Sequence, residues 1–382
     1  MPRERLFTRP FVLCSVANLA QGMSFNLFLH FPGFLKELGA GEVQIGFIFG
    51  LTAVAAILAR PPIGRSMDTR GRRGVILVGG ALNLLVCALY LSVTALGPWI
   101  YLIRVLHGLS EAMLFTSLFT YAADYVPAAR RTEGLALFGV SGMLPISLSG
   151  VLGDALLERF DYTALFAAAL AFAALSLLLS LPLRDRPRSA GAHEPSRGFL
   201  AALRQAELIP LWWMGGVFAF ALAAVFTFTK TFVMETGLGS VGAFFSAYAG
   251  AAIAMRVLLG WVPDRVGPKR ALFPSLASLA TGLTLLALAE TSGQVATAGV
   301  LCGFGHGFAF PILFGLVVSR ARETERGSAM AIYTALFDGG VLIGGPSFGA
   351  VIAIAGYPAM FATAALAVVA GALLFAVWDR QR

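Results

Sequence analysis

Charged residues are scarce in this chain. Of its 382 residues, 58% are hydrophobic and only 13% are Asp, Glu, Lys or Arg. Soluble domains carry about a quarter charged residues, so the composition excludes a single soluble core. Short strands of alternating polarity are also missing, which excludes a transmembrane β-barrel. The three cysteines, Cys14, Cys87 and Cys302, all lie in apolar segments and indicate buried thiols without a disulfide framework.

Motifs for catalysis and nucleotide hydrolysis are missing too. The sequence has no GxxxxGKS/T phosphate loop and no HExxH zinc motif, and its scattered His and Asp residues suggest no catalytic triad. His107 and Glu111 could supply two metal ligands four residues apart, but no third ligand stands at a diagnostic spacing. We therefore predict a protein that is not an enzyme and that holds no metal and no cofactor.

Long apolar segments are what the chain has instead. A helix needs about 20 residues, at about 1.5 Å each, to cross the hydrocarbon of a bilayer, and twelve such segments recur. They cover residues 11–35, 43–60, 74–95, 99–121, 134–157, 162–183, 208–234, 241–259, 271–289, 295–319, 328–354 and 358–378. We number them spans 1 to 12 and predict an all-α membrane protein.

Basic residues are confined to one set of connections. If the spans alternate in direction from a cytoplasmic N-terminus, only Lys36 and Arg159 fall in outer loops, while the other loop arginines and lysines fall inside. This asymmetry follows the positive-inside rule. It predicts a multi-pass protein of the cell inner (plasma) membrane with both termini in the cytoplasm. It also explains the net charge of +8 without nucleic acid as a partner.

One short pattern occurs twice, about half a chain apart. Its copies are GRSMDTRGRR at 64–73 and GWVPDRVGPKR at 260–270. Each places Asp four residues after one Gly and three before another, with basic residues at the close. His107 and His306 follow a similar offset of about 195 residues. Repeats of this kind predict two pseudo-symmetric six-helix bundles, 1–183 and 208–382, joined by a cytoplasmic linker at 184–207 that includes a short amphipathic helix near 199–206.

These features together resemble the major facilitator superfamily (MFS) of transporters over the whole chain. The segment 64–73 resembles motif A of the family, although Asp68-Thr69-Arg70 displaces the basic residue by one position. Arg104 followed by His107-Gly108 resembles motif B, with His where Gln is frequent. Span 5 holds only a fragment of the antiporter-associated motif C. The resemblance implies the MFS fold and a drug- or metabolite-efflux-like member.

Span 4 carries the most informative ionisable groups. Such groups cost about 2.5–3.5 kcal/mol or more each inside a bilayer. Arg104, His107 and Glu111 share one helical stripe. In a functional interpretation Arg104 attracts an anionic group and Glu111 exchanges protons; in the alternative, the stripe forms an internal network with a neighbouring helix. A polar line on span 1 completes the candidate substrate contacts of this half: Asn18, Gln21 and Asn26.

The second half offers three further candidates. Asp338 in span 11 and His306 in span 10 could couple protons, since His titrates near neutral pH, but packing roles compete for both. His306 and Lys230 are also candidate substrate contacts, although Lys230 could instead snorkel to the outer face. Span 7 is rich in Phe and Trp. We therefore expect a cavity that is polar on the N-terminal half and apolar on the C-terminal half.

The repeated pattern has a mechanical interpretation. By resemblance, the first motif A latches the two halves on the cytoplasmic side in the outward-open state. Carboxylates are favoured at helix N-termini, and glycine permits tight turns and close helix approach. A basic turn that only sets topology is compatible with this gate. The candidate gate residues are Gly64, Asp68, Gly71, Arg72, Arg73, Asp264 and Arg265.

The function predicted from the resemblance is secondary active transport of a small amphipathic or anionic molecule by alternating access. Proton-coupled export (antiport) is the leading hypothesis, because protonatable residues lie within the spans and no nucleotide-binding loop is present. The alternative is a proton-coupled uptake symporter for a carboxylate anchored by Arg104, and a non-transporting membrane sensor is a remote third. The expected partners are a small-molecule substrate, protons and the lipid bilayer, and the protein is expected to act as a monomer.

Overall fold

A computed structural model describes residues 7–127, 131–185, 199–322 and 325–379. Within these ranges the regular structure is helical, with no strand. Spans 1 to 6 are Arg9–Glu37, Glu42–Arg70, Arg72–Tyr90, Pro98–Tyr125, Arg131–Arg159 and Tyr162–Ser180. Spans 7 to 10 are Ile209–Thr236, Val241–Leu259, Pro268–Ala287 and Ser292–Arg320. Two short helices, Phe199–Leu203 and Val262–Val266, lie before span 7 and before span 9.

The last two spans are joined end to end. Arg326–Trp378 runs for 53 residues, roughly 80 Å at about 1.5 Å per residue and far longer than one crossing needs. Gly356 breaks it, with φ 77° and ψ 177°, a conformation that glycine adopts without steric cost. We assign residues 326–355 to span 11 and 357–378 to span 12. The described chain therefore has twelve spans, and the predicted all-α fold is confirmed.

Span 1 is not one continuous α-helix. Arg9–Asn26 is followed by the 3₁₀ segment Leu27–His30, and Phe31–Glu37 then continues as α-helix. Pro32 has no backbone N–H to donate to the preceding turn. The interruption lies just before Pro32.

Several spans begin with a capping residue that the sequence itself supplies. The side chain of Asp161 accepts from the Ala164 N–H at 3.1 Å at the start of span 6. Ser240 does the same for span 8, and Thr291 with Gln294 forms a full capping box at span 10. Each cap satisfies backbone donors that the first helical turn leaves free.

The residues group into two compact units. Unit 1 takes in Met1–Gly39 and Val54–Ser189, and unit 2 takes in Ala40–Ala53 and Ala190–Arg382. Inside unit 1, span 1 packs against spans 4, 5 and 6, and span 3 packs against spans 4 and 6. Inside unit 2, span 10 packs against spans 8 and 9, and the helix of spans 11 and 12 packs against spans 7 and 9. The predicted linker at 184–207 overlaps residues 186–198, which lie outside the described ranges.

A stripe of glycines on span 10 sets its distance from span 8. A Cβ on Gly299 would lie 2.7 Å from the Phe244 carbonyl oxygen, one on Gly303 would lie 2.7 Å from Tyr248 Cα, and Gly307 faces Ala252. The three glycines are four residues apart, and so are their partners on span 8. Small residues at this spacing let helix backbones approach closely inside a membrane.

The first part of span 2 belongs to unit 2. Gly46 lies against the backbone of Gly345 in span 11, and a Cβ on Gly349 would lie 2.8 Å from Val43 Cα. The Tyr357 hydroxyl donates to a Glu42 carboxylate oxygen at 3.0 Å. Residues 42–53 are thus held against spans 11 and 12 by close backbone contact and one charge-assisted hydrogen bond.

Candidate functional site

The middle of unit 1 contains a connected polar cluster. Glu111 stands halfway along the 28-residue helix of span 4 and is partly exposed. Gln21 of span 1 donates from Nε2 to Glu111 Oε2 at 2.7 Å, and Asn83 of span 3 donates from Nδ2 to Gln21 Oε1 at 3.1 Å. Asn83 is 1% exposed and Gln21 3%. Three spans therefore meet at one carboxylate.

The other two polar residues of span 1 have separate partners. Asn18 donates to the Ser141 hydroxyl of span 5 at 3.0 Å, and Asn26 donates to the Gly22 carbonyl of its own helix at 2.8 Å. Both side chains remain partly exposed. The predicted polar line is therefore divided: Gln21 joins the Glu111 cluster, Asn18 contacts span 5, and Asn26 is satisfied locally.

Arg104 and His107 lie deeper than Glu111. Arg104 is 2% exposed and His107 0%. The Arg104 guanidinium lies 4.8 Å from the centre of the Phe31 ring and donates to the Tyr90 hydroxyl at 3.4 Å. Tyr90 also hydrogen-bonds to His107 Nδ1 at 3.2 Å, while His107 Nε2 finds no partner among the described residues. The structure places this part of the predicted stripe within an aromatic cluster of unit 1.

A second ionisable pair in unit 1 escaped the sequence analysis. His30 Nε2 lies 3.0 Å from Asp154 Oδ1, joining span 1 to span 5. The His30 side chain is fully buried and that of Asp154 is 26% exposed. Gly153 makes room for the imidazole, since a Cβ there would lie 2.5 Å from His30 Nδ1. In the sequence, Asp154 beside Gly153 in an otherwise apolar span was the feature that could have indicated this pair.

His306, one of the candidates of unit 2, lies in an aromatic environment. His306 is flanked by Phe218, Phe226 and Phe310 at centroid distances of 5.5, 6.5 and 5.9 Å. The Tyr248 hydroxyl hydrogen-bonds to His306 Nδ1. Asp338 and Lys230 are partly exposed and each has a partner in the structure, but neither joins His306 in any contact described above.

Aromatic rings continue from His306 along spans 10 and 11. Phe310 lies 5.6 Å from Phe337 and 6.2 Å from Phe314, and all three rings are partly exposed. Tyr333 lies 5.9 Å from Phe314 and is 1% exposed. Its hydroxyl has no hydrogen-bond partner among the described residues. We call Phe310, Phe314, Tyr333 and Phe337 the aromatic face of unit 2.

The first copy of the repeated pattern forms a tight connection at one end of unit 1. Gly71 has φ 95°, which requires glycine, and a Cβ there would lie 2.8 Å from Asp185 Cγ and displace that carboxylate. Asp185 accepts from the backbone N–H groups of Arg72 and Arg73 at 2.9 and 3.0 Å. A carboxylate on a helix N-terminus is favoured by the helix dipole, so the residue after span 6 caps span 3.

Arg72 and Arg73 of this copy bind within the same unit. Arg72 Nε lies 3.0 Å from Asp124 Oδ2 at the end of span 4. Arg73 donates from Nε to the Leu183 carbonyl at 2.7 Å. A Cβ on Gly64 would meet nothing within 4 Å among the described atoms, so no close helix approach occurs there. The side chain of Asp68 lies outside the described ones.

The second copy anchors the end of span 12. Arg320 forms a bidentate pair with Asp379, with N···O distances of 2.7 and 3.0 Å, and Lys269 lies 2.9 Å from the same carboxylate. Burial raises the pKa of Asp379, but the hydrogen bonds from Arg320 and Lys269 outweigh burial and hold the pKa below its usual value. Arg265 lies over the Trp261 ring at 4.7 Å, and the Asp264 side chain lies outside the described ones.

In both halves an aspartate that follows the last span holds the start of the third span. Asp185 follows span 6 and holds the start of span 3, and Asp379 follows span 12 and holds Lys269 at the start of span 9. The two aspartates are 194 positions apart, which matches the repeat offset. The two connections differ in the residue that span 4 or span 10 supplies. At the end of span 4 the acidic Asp124 pairs with Arg72, whereas at the end of span 10 the basic Arg320 pairs with Asp379.

Metal binding finds no support in the described part of the chain. No group of three or more His, Cys, Asp or Glu side chains is close enough there to hold an ion.

Comparisons with known proteins agree on one family. The sequence profile of the Major Facilitator Superfamily matches residues 11–344 and 238–382. An uncharacterized MFS-type transporter of Pseudomonas aeruginosa (strain UCBPP-PA14) is 26% identical over 360 residues, covering 92% of this chain and 88% of that protein. One of Salmonella typhimurium (strain LT2) is 25% identical over 359 residues, covering 91% and 90%.

Solved structures show the same fold at lower identity. The nucleoside transporter NupG superposes with a TM-score of 0.79 at 14% identity, covering 98% of this chain and 100% of that one. A POT family transporter in complex with 5-aminolevulinic acid gives 0.81 at 13%, covering 100% and 98%. The human organic anion transporter MFSD10 gives 0.68 at 20%, covering 98% and 100%. Because the family profile spans the chain, this protein is a member of the major facilitator superfamily and, by general kind, a secondary transporter of the membrane.

Proposed function

We propose that this protein exports a small amphipathic molecule in exchange for protons, with Glu111 as the group that exchanges the proton. The observation that carries the proposal is the placement of Glu111 at the middle of a membrane span, partly exposed and held by a donor from Gln21 at 2.7 Å. An ionisable group at this depth is costly, and a carboxylate that can be reached by water can exchange its proton.

Coupling follows from competition at this carboxylate. A substrate held near Glu111 favours the ionised carboxylate. A proton taken up from the other side of the membrane neutralises Glu111 and favours release of the substrate. Asp338 and His306 are further candidates for the proton, and Lys230 for the substrate. Because the exchange is antiport, an inward proton gradient drives the substrate outward.

Each unit by itself offers groups that a substrate can contact. Unit 1 offers the partly exposed amide of Asn18 and carboxylate of Glu111, and unit 2 offers the partly exposed rings of its aromatic face. Such groups suit a molecule with a planar apolar body and a polar group. The structural relatives above are named for a nucleoside, an organic anion and 5-aminolevulinic acid, so the shared fold does not choose the substrate.

The gate is proposed at the repeated pattern. The Gly71 turn, the Arg72–Asp124 pair and the Asp185 cap tie the connection between spans 2 and 3 to the ends of spans 4 and 6. We assign this segment, with Asp68 and Arg73, to the conformational lock, and its second copy, with Asp264 and Arg265, to the corresponding position of the other half.

Liposomes test the proposed exchange. Purified protein with an imposed pH gradient is expected to move protons, read by a pH-sensitive dye inside, only when a substrate is present. The panel should contain planar aromatic cations, anions and neutral compounds, and protein-free liposomes are the control. If no compound of the panel causes proton movement, the proposal is wrong.

Tyr333→Phe tests whether the aromatic face binds the polar edge of a ligand. A buried hydroxyl without a partner costs about 1–3 kcal/mol, so its removal is expected to leave the apparent unfolding temperature unchanged or higher. Binding of a ligand that bonds this hydroxyl is expected to weaken about tenfold, for one hydrogen bond of roughly 1.4 kcal/mol. Thermal-shift titrations measure both quantities.

Tyr333→Ala is the matched comparison, because it also removes the ring that packs 2.7 Å from the Cβ position of Gly215. A fall in unfolding temperature with Phe as large as with Ala would show that the hydroxyl has an internal partner and would remove it from the ligand site.

A further inference from the structure

A chain of hydrogen bonds inside unit 1 runs from a backbone carbonyl to Glu111. Ser24 Oγ donates to the Ala169 carbonyl of span 6 at 2.9 Å. Asn83 Nδ2 lies 3.3 Å from Ser24 Oγ and 3.1 Å from Gln21 Oε1, and Gln21 Nε2 lies 2.7 Å from Glu111 Oε2. Ser24, Asn83 and Gln21 are each at most 3% exposed.

The direction of this chain is dictated by its buried end. A carbonyl oxygen can only accept, so the single hydroxyl proton of Ser24 points to Ala169. Ser24 must then accept from Asn83, which turns the Asn83 amide nitrogen toward both Ser24 and Gln21. Gln21 accepts through its carbonyl oxygen and is left with its NH₂ group toward Glu111. Neither amide can be flipped without losing a hydrogen bond.

Cys87 contacts the same chain. Its fully buried thiol lies 3.5 Å from Ser24 Oγ and 4.0 Å from Asn83 Oδ1. Because the Ser24 proton points to Ala169, the single thiol proton can go to either oxygen. Neither contact requires the Asn83 amide to reverse.

We propose that Ser24 and Asn83 are positioning residues for proton exchange, because they fix the Gln21 amide so that it donates to the ionised form of Glu111. This inference rests on the proposed role of Glu111. Neither residue meets the substrate. A protonated Glu111 can still accept this bond through its carbonyl oxygen, but a donor bonds a charged carboxylate more strongly than a neutral acid. The chain therefore favours the carboxylate until the proton gradient or the substrate changes the balance.

The variants described below leave the other ionisable groups on the spans of unit 1 unchanged. Arg60 of span 2 hydrogen-bonds to Thr116 at 3.5 Å, and His30 of span 1 pairs with Asp154 of span 5. The remaining ones on spans 1, 3, 4 and 6 are Arg9, Cys14, Lys36, Glu37, Arg72, Arg73, Cys87, Tyr90, Tyr101, Arg104, His107, Tyr121, Asp124, Tyr125 and Tyr162. A shift common to the variants is then attributable to the amide chain.

The test is a pH titration of the purified protein in lipid by difference infrared spectroscopy. The probe is the carbonyl stretch of protonated Glu111, identified by its loss in Glu111→Gln. In Asn83→Leu the midpoint of this band is expected to move upward by about one pH unit, because an oriented donor to a charged acceptor is lost. Ser24→Ala should move it in the same direction by a smaller amount, since the amides become free to reverse.

Ser176→Ala is the matched control. Ser176 also donates from a buried hydroxyl to a carbonyl across spans 6 and 1, to Ala17 at 2.9 Å, but it contacts no amide of the chain. Its midpoint should equal that of the wild type. Equal midpoints in Ser24→Ala and Ser176→Ala would overturn the inference, and Ser24→Ala decides alone should Asn83→Leu fail to fold.

The outcome is separable from that of the proposed function. If the infrared midpoint shifts while Glu111→Gln still couples transport to the gradient, the positioning chain stands and the coupling role of Glu111 falls. If Glu111→Gln uncouples transport while the midpoint is unchanged in both chain variants, the coupling role stands and the positioning role falls.

Discussion

Glu111→Gln is expected to abolish gradient-driven transport while retaining exchange of substrate without a gradient. One pH unit is worth about 1.4 kcal/mol, so a one-for-one exchange can hold about a tenfold concentration ratio. Gln keeps the size of Glu and can still accept from Gln21 through its carbonyl oxygen, but it cannot take up a proton. In liposomes the ratio held by a gradient of one pH unit should therefore fall from about ten to one.

The control must remove a carboxylate without touching the centre of unit 1. Glu158 is exposed near the end of span 5, and Glu158→Gln should hold the wild-type ratio. If Glu111→Gln also holds it, Glu111 does not carry the proton. Asp338→Asn, and then a His306 variant, would follow in the same assay.

Gly303→Ala is expected to be the most damaging one-methyl change in unit 2. The added Cβ would fall against the backbone of Tyr248, 2.7 Å from its Cα, and a backbone cannot move aside as a flexible side chain can. Overpacking of this kind costs about 1–3 kcal/mol. The apparent unfolding temperature of the purified protein should fall by several degrees, and the contact between spans 8 and 10 is the cause.

Gly315→Ala on the same helix should change the unfolding temperature in the opposite direction. A Cβ there meets nothing within 4 Å among the described atoms, and alanine favours a helix over glycine by up to about 1 kcal/mol. Its unfolding temperature should equal or exceed that of the wild type. Similar losses for both variants would mean that helix propensity or detergent contact, and not the glycine stripe, controls stability.

Much of the fold could be read from local pattern. Apolar length predicted the spans, and the caps at Asp161, Ser240 and Thr291 mark helix starts that any reading of the sequence could find. The break at Gly356 also has a local signal, because Gly-Tyr-Pro interrupts two apolar runs. The stripe at Gly299, Gly303 and Gly307 was equally visible by its spacing, and the sequence analysis did not use it.

The candidate site was predictable only in part. The stripe of span 4 identified Arg104, His107 and Glu111, but periodicity could not tell that the first two are buried among aromatic rings while Glu111 is partly exposed. Asp154, Asp185 and Asp379 were missed as partners, because each contacts a residue more than 50 positions away. Such pairs depend on how helices are arranged, which no local rule supplies.

By itself the sequence determined that this is a twelve-span membrane protein of duplicated design and identified its family, because hydrophobic length, basic-residue placement and the repeated turn are local properties. The tertiary structure decided which polar groups meet. It joined Glu111 to Gln21 and Asn83 from three separate spans, and it oriented their amides from the Ala169 carbonyl. Inside an apolar medium each buried polar group must find a partner, and the packing of the helices selects that partner.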